Sequence, residues 1–205
     1  ISNAPTQNSL LKTLEEPPHG SLIILIAANA DRLLPTIRSR CQAVRYSPLS
    51  DHDVAELVVQ TEMADSPELA EEIAALSEGS LATAAQLCDP ELLSERRELY
   101  KALGSTRFHG VNAAARVVEY VESAGSDAAE QRRLASWFIR FCIDYYREAL
   151  SAAAGDTEEV ETLGELIERA VEAQLQLDRK MSVGLCMEAL FDDLGRIRRT
   201  ASARG

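Results

Sequence analysis

The sequence predicts a mainly α-helical protein with a short α/β segment at its N-terminus. Three observations carry this expectation. From Val54 onward, apolar residues recur at helical spacing in stretch after stretch, each opened by capping residues. Only residues 22–28 form an apolar run without that spacing, and it is rich in β-branched side chains. Gly, Pro and Ser cluster between the periodic stretches, where helices start and stop.

The N-terminal segment comes first. Leu10, Leu11 and Leu14 recur at helix spacing, with Lys12, Glu15 and Glu16 on a solvated opposite face. Pro5 suits a first helical turn, and Pro17-Pro18 ends the helix. The run 22–28 lacks polar alternation, so it reads as a strand buried on both faces, as in a parallel sheet. Asp31 can cap a short helix through Arg38, restarted at Pro35, and residues 44–46 read as one more short strand.

A proline and a cap at Ser47-Pro48-Leu49-Ser50 mark a boundary. Beyond it three short helices are expected. The first carries Val54, Leu57, Val58 and Thr61 as its apolar stripe, with Asp51 and Asp53 at its acidic start. The second opens at Ser66-Pro67-Glu68 and turns Leu69, Ile73 and Leu76 inward; the third starts after Gly79-Ser80 and runs through Leu87. Asp89-Pro90 opens a five-helix region: 91–103, 111–123, 128–153, 157–178 and 182–199. In the longest of these, Trp137, Phe138, Phe141, Cys142 and Tyr145 make an aromatic stripe that reads as core, because no basic residues interleave as a base-stacking platform needs. In the last, Val183, Leu185, Met187, Leu190, Phe191 and Leu194 are the inward candidates.

Composition excludes several function classes. The 205 residues carry a net charge of −12, which makes a poor stand-alone DNA binder. Arg196, Arg198, Arg199 and Arg204 make the tail locally basic, and a solvated helix end favoured by its dipole is the simpler account than DNA contact. No apolar run is long enough to cross a bilayer. Cys41, Cys88, Cys142 and Cys186 are scattered, with no C-x-x-C pair for zinc or redox chemistry, which suits a reducing cytoplasm. His19, His52 and His109 are separated, and no Ser/His/Asp arrangement has motif context.

One combination is specific. LLKTLEEPP at 10–18 with its preceding residues, the buried-strand pattern, and LLPTIRSRC at 33–41 together resemble the AAA+ module of bacterial DNA polymerase III clamp-loader subunits, the delta-prime type first and the gamma/tau type next. The resemblance is dense over 7–41, thin over 42–88, and only a helical outline beyond. It implies three parts: a C-terminal remnant of an AAA+ nucleotide-binding core at 1–48, a three-helix lid at 49–88, and a helical collar for oligomerisation at 89–205. It also gives Arg40 a role. Taken alone, an arginine after a short helix is a surface ion-pair partner; in such loaders the arginine of Ser39-Arg40-Cys41 reaches the nucleotide of the neighbouring subunit. A guanidinium is permanently charged and forked, so it can meet phosphate oxygens bidentately and stabilise transition-state charge. Ser39 and Cys41 are then structural neighbours in the motif, Cys41 as a small hydrophobe.

The resemblance also exposes departures. The polar sensor residue of the family falls on Ala28, beside Asn29, which itself reads as a turn residue. The nucleotide-touching arginine of the third lid helix falls on Ala82, and no arginine occurs from Asp65 to Ser94. Both departures favour a stator that lends an arginine without turning over ATP. The implied cofactor picture is none in this chain, with ATP and Mg on a neighbouring subunit. The implied partners are gamma/tau-type and delta-type subunits, and, through the assembly, the sliding clamp and primer-template DNA, all in the cytoplasm and with no membrane. No G-x-x-x-x-G-K-[ST] phosphate loop or magnesium-binding strand precedes residue 7, so the chain reads as the C-terminal part of a longer protein. Residues 1–48 alone would offer too few strands to close a sheet core. Two rival readings are an ATP-hydrolysing gamma/tau-type subunit and, in another class, a helical scaffold with no nucleotide connection.

Overall fold

The computed structural model describes residues 11, 13–27, 31, 33–153 and 157–203. It divides into two compact units, Ile1–Ser50 and Asp51–Gly205.

In the first unit, the backbone is helical at Leu11 and from 13 to 15, and leaves the helix before Pro17-Pro18. A four-residue helix, α1 (Pro35–Arg38), begins with proline in its first turn and buries Ile37 almost completely. No strand occurs among the described residues, so the strands expected at 22–28 and 44–46 are not found in their described parts. Residues 22–27 are irregular in backbone, with Ile23 and Leu25 half-buried and Leu22, Ile24 and Ile26 exposed. The physical reason is that a strand exists only by exchanging hydrogen bonds with a neighbour, and no described residue supplies one. Val44 and Tyr46 are likewise exposed. Lys12, Ala28 and Asn29 lie outside the described residues, as does Pro5.

The second unit is all helix and turn among its described residues. Its helices are α2 (Asp51–Gln60), α3 (Pro67–Ser77), α4 (Leu81–Leu87), α5 (Pro90–Gly104), α6 (Gly110–Ser123), α7 (Ala128–Ala152), α8 (Thr157–Asp178) and α9 (Val183–Ser202). The boundaries follow local chemistry. Ser66 accepts the Leu69 N–H at 3.2 Å and Ser80 accepts the Thr83 N–H at 3.2 Å, so each satisfies an orphan donor of its helix. Asp89 and Asp127 do the same for Glu91 and Ala129 at 2.9 and 3.0 Å. α3 ends where Glu78 and Gly79 both take positive φ.

α2 packs on α3, and α4 packs against both. α7 packs against α5, α6, α8 and α9, which puts the aromatic stripe at the centre of the unit. Phe138, Ile139, Phe141 and Cys142 are all essentially inaccessible to solvent. Edge-to-face contacts link Phe138 to Tyr120 and to Phe141. α6 crosses α9 closely at Gly110, where the Phe191 backbone lies. Cys186, Met187, Leu190, Phe191 and Leu194 form the buried stripe of α9. Leu185, expected inward, is instead 58% exposed, because it sits one step off that stripe. The two short-helix and five-helix regions also share ties within this unit. Arg140 of α7 donates to the Leu76 carbonyl at 2.8 Å, and Arg96 and Arg97 of α5 pair with Glu72 of α3 at 3.3 and 2.9 Å.

Candidate functional site

The Ser39-Arg40-Cys41 triplet sits on a turn that continues α1. The Ser39, Arg40 and Cys41 N–H groups donate in succession to the carbonyls of Pro35, Ile37 and Arg38 at 3.0, 3.1 and 3.4 Å. Buried Ile37 anchors this turn from below. The turn keeps Arg40 on the surface of its unit, with its side chain 37% exposed.

The guanidinium is held at two of its nitrogens. Nη1 donates to the Thr36 carbonyl at 3.0 Å and lies 3.4 Å from Ser39 Oγ. Nη2 forms an ion pair with Glu15 Oε1 at 2.7 Å. The Ser39 hydroxyl donates to the same Thr36 carbonyl at 3.1 Å, so this one oxygen collects both side chains. Arg40 is thus an ion-pair partner at the surface, as an arginine after a short helix is expected to be, and it is not enclosed within its unit. Cys41 is half-buried with a free thiol. Nearby, Arg38 pairs with Asp31 at 3.1 Å.

Sequence reasoning placed Glu15 on a solvated helix face and did not connect it to Arg40. The only signal available was that both belong to the two halves of one motif. Glu16 and His19 are exposed.

Ala82, where the resemblance expects an arginine, is exposed on the first turn of α4. Its methyl group offers no charge to a phosphate. Elsewhere in the second unit, a groove of about 290 Å³ is lined by Thr83, Gln86, Arg133, Ser136, Trp137 and Arg140. Several of its polar groups are already engaged with protein partners. Gln86 Oε1 accepts from Trp137 Nε1 at 3.1 Å and from Arg133 at 3.2 Å, and Arg140 is committed to Leu76 and, at 3.3 Å, Glu78. The basic tail is also engaged: Arg198 donates to the carbonyls of Leu103 and Ser105 at 2.8 and 2.7 Å and lies over the Phe108 ring. Arg196 pairs with Asp193, Arg199 is exposed, and Arg204 lies outside the described residues. Among the described residues no cluster of His, Cys, Asp and Glu could hold a metal ion. Among the described residues no helix is long and apolar enough to cross a membrane.

Residues 2–50, which carry the Arg40 turn and Glu15, match the family described as DNA polymerase III, delta subunit. Over part of its length the chain is similar to DNA polymerase III subunits. More particularly, it is similar to two proteins that are each DNA polymerase III subunit delta′. The one from Bacillus subtilis (strain 168) is 33% identical over 110 residues, covering 52% of this chain and 32% of the relative. The one from Pseudomonas aeruginosa is 35% identical over 102 residues, covering 49% and 31%. DNA polymerase III subunit tau of Escherichia coli (strain K12) is 33% identical over 91 residues, covering 42% of this chain and 14% of that protein. The chain therefore matches about one third of the length of its delta′ relatives. No solved structure gives a significant match.

Proposed function

We propose that this chain belongs to a non-hydrolysing, delta-prime-type subunit of the replicative clamp loader, and that Arg40 acts in trans on ATP held by a neighbouring subunit. The observation that carries this is the surface placement of Arg40 within the very segment that matches the delta-subunit family. A guanidinium so placed can meet phosphate oxygens outside its own chain, and a positioned trans arginine stabilises the charge that spreads over a transferring phosphoryl group. The chain itself supplies no cofactor site in this reading; ATP and Mg belong to the neighbour. Residues 49–88 serve as the lid and 89–205 as the collar that joins the subunit to gamma/tau-type and delta-type partners in the cytoplasm. Contact with the sliding clamp and primer-template DNA is then a property of the assembly.

The similarity to the tau subunit favours a second reading, an ATP-hydrolysing gamma/tau-type subunit. Ala82 speaks against it, because an uncharged methyl replaces the nucleotide-touching cation that the resemblance calls for. One experiment separates them. The full-length gene product is titrated into its gamma/tau-type partner with ATP present. The proposal expects no turnover by the product alone and a rise in the partner's turnover on mixing. Turnover by the product alone would support the second reading.

A further inference from the structure

Glu15 is the one acidic side chain in direct contact with the Arg40 guanidinium among the described residues. The two come from opposite ends of the N-terminal unit's motif, one from the helix that Pro17-Pro18 terminates, the other from the turn after α1. Their contact is 2.7 Å, and both side chains remain partly open to solvent, at 49% for Glu15 and 37% for Arg40.

The geometry divides the five N–H donors of the guanidinium into two sets. Nη1 is taken by the Thr36 carbonyl and the Ser39 hydroxyl, and Nη2 faces Glu15. Nε has no partner among the described residues. A carboxylate on one side and a carbonyl on the other therefore fix the plane of the fork and leave Nε uncommitted, on a side chain still 37% exposed. An arginine side chain otherwise has many rotamers, and ordering it only when phosphate arrives would cost entropy at the moment of reaction.

Resting on the trans-arginine reading above, we propose that Glu15 is the positioning residue for Arg40: its carboxylate holds the guanidinium in the orientation from which the free Nε meets a neighbour's phosphate. Glu15 touches no nucleotide itself and acts only through Arg40.

The test uses the full-length protein in the assembled loader, with Glu15→Gln, Glu15→Asp, Arg40→Ala and the double variant Glu15→Gln/Arg40→Ala. Glutamine keeps the shape of the side chain and removes the charge. The expected result is a kcat for ATP lowered about tenfold in Glu15→Gln with KM unchanged, since misplacing a catalytic group costs rate more than ground-state binding. Glu15→Asp recovers part of the loss, and the double variant is no slower than Arg40→Ala, because Glu15 has nothing left to position. Ring assembly by gel filtration stays intact in all four. Unchanged or faster turnover in Glu15→Gln overturns the inference, as do losses that multiply in the double variant. If Arg40→Ala is slow while Glu15→Gln is normal, only the positioning role falls. If Arg40→Ala is itself normal, the trans-arginine reading falls and this inference with it.

Discussion

Arg40 Nη2 stands 2.7 Å from Glu15 Oε1, and this contact physically joins the two halves of the N-terminal motif. A half-exposed ion pair contributes little to stability, about 0–1 kcal/mol. Its consequence is therefore one of orientation. Arg40→Ala is expected to shift the unfolding free energy of the chain by less than about 1 kcal/mol. Urea denaturation followed by circular dichroism measures that shift.

Gly110 is the contact point of α6 and α9. A Cβ there would meet the Phe191 carbonyl oxygen at 2.2 Å, a backbone atom that cannot swing away. Alanine improves intrinsic helix propensity by up to about 1 kcal/mol. Overpacking against backbone costs about 1–3 kcal/mol and wins. Gly110→Ala is expected to lower stability and the Tm, whereas Gly164→Ala, with open space around its Cβ, is expected to leave both unchanged or slightly raised. Thermal melts of the two variants side by side check this.

Asp193 predicts a pH dependence. Burial alone would raise its carboxyl, but the N–H donors and positive charges of Arg169 and Arg196 outweigh that and hold it below the ordinary value of 3.8. The native state thus favours the ionised form. The stability it contributes is fully present above pH 3.8 and is lost as pH falls through the lower native value. Asp144 works in the opposite sense: burial raises its carboxyl in spite of nearby Arg140. The two are separated by comparing wild type with Asp193→Asn across the acid range. The variant is expected to be less stable near neutrality by about 1.5–3 kcal/mol, the worth of a charge-assisted hydrogen bond, and the gap is expected to close in acid.

The four thiols should fall into two classes. Cys142 and Cys186 are inaccessible, and burial pushes both thiols above their ordinary range. Cys41 and Cys88 are half-buried. Titration with a colorimetric thiol reagent is expected to label Cys41 and Cys88 in the native protein and to reach Cys142 and Cys186 only after unfolding.

How far the sequence was legible depended on how local each signal was. The helices of the second unit were legible because caps and apolar periodicity act within a few residues. Ser66, Ser80 and Asp89 each do the capping that their positions implied. The aromatic stripe of α7 proved to be core for the same reason, except at Tyr145, which is half-buried at its edge. Leu185 misled because an apolar residue beside a dense apolar stripe looks inward until its angular position is fixed. The strand expected at 22–28 was not found in its described part, because strand formation depends on distant neighbours rather than on its own residues. Of the candidate site, the motif singled out Arg40, but Glu15 and the Thr36 carbonyl were not legible as its partners. That contact spans residues far apart in sequence and follows no periodic rule.

The most direct measurement is ATP turnover by a reconstituted loader in which Arg40→Ala is the sole change and every ATP-binding subunit is wild type. A trans arginine is worth roughly 10³–10⁵ in rate in other phosphoryl-transfer systems. Here the account predicts a large fall in kcat at the neighbouring site, with nucleotide binding and ring assembly retained. Turnover equal to wild type, in an assembly confirmed to contain the variant, would contradict it.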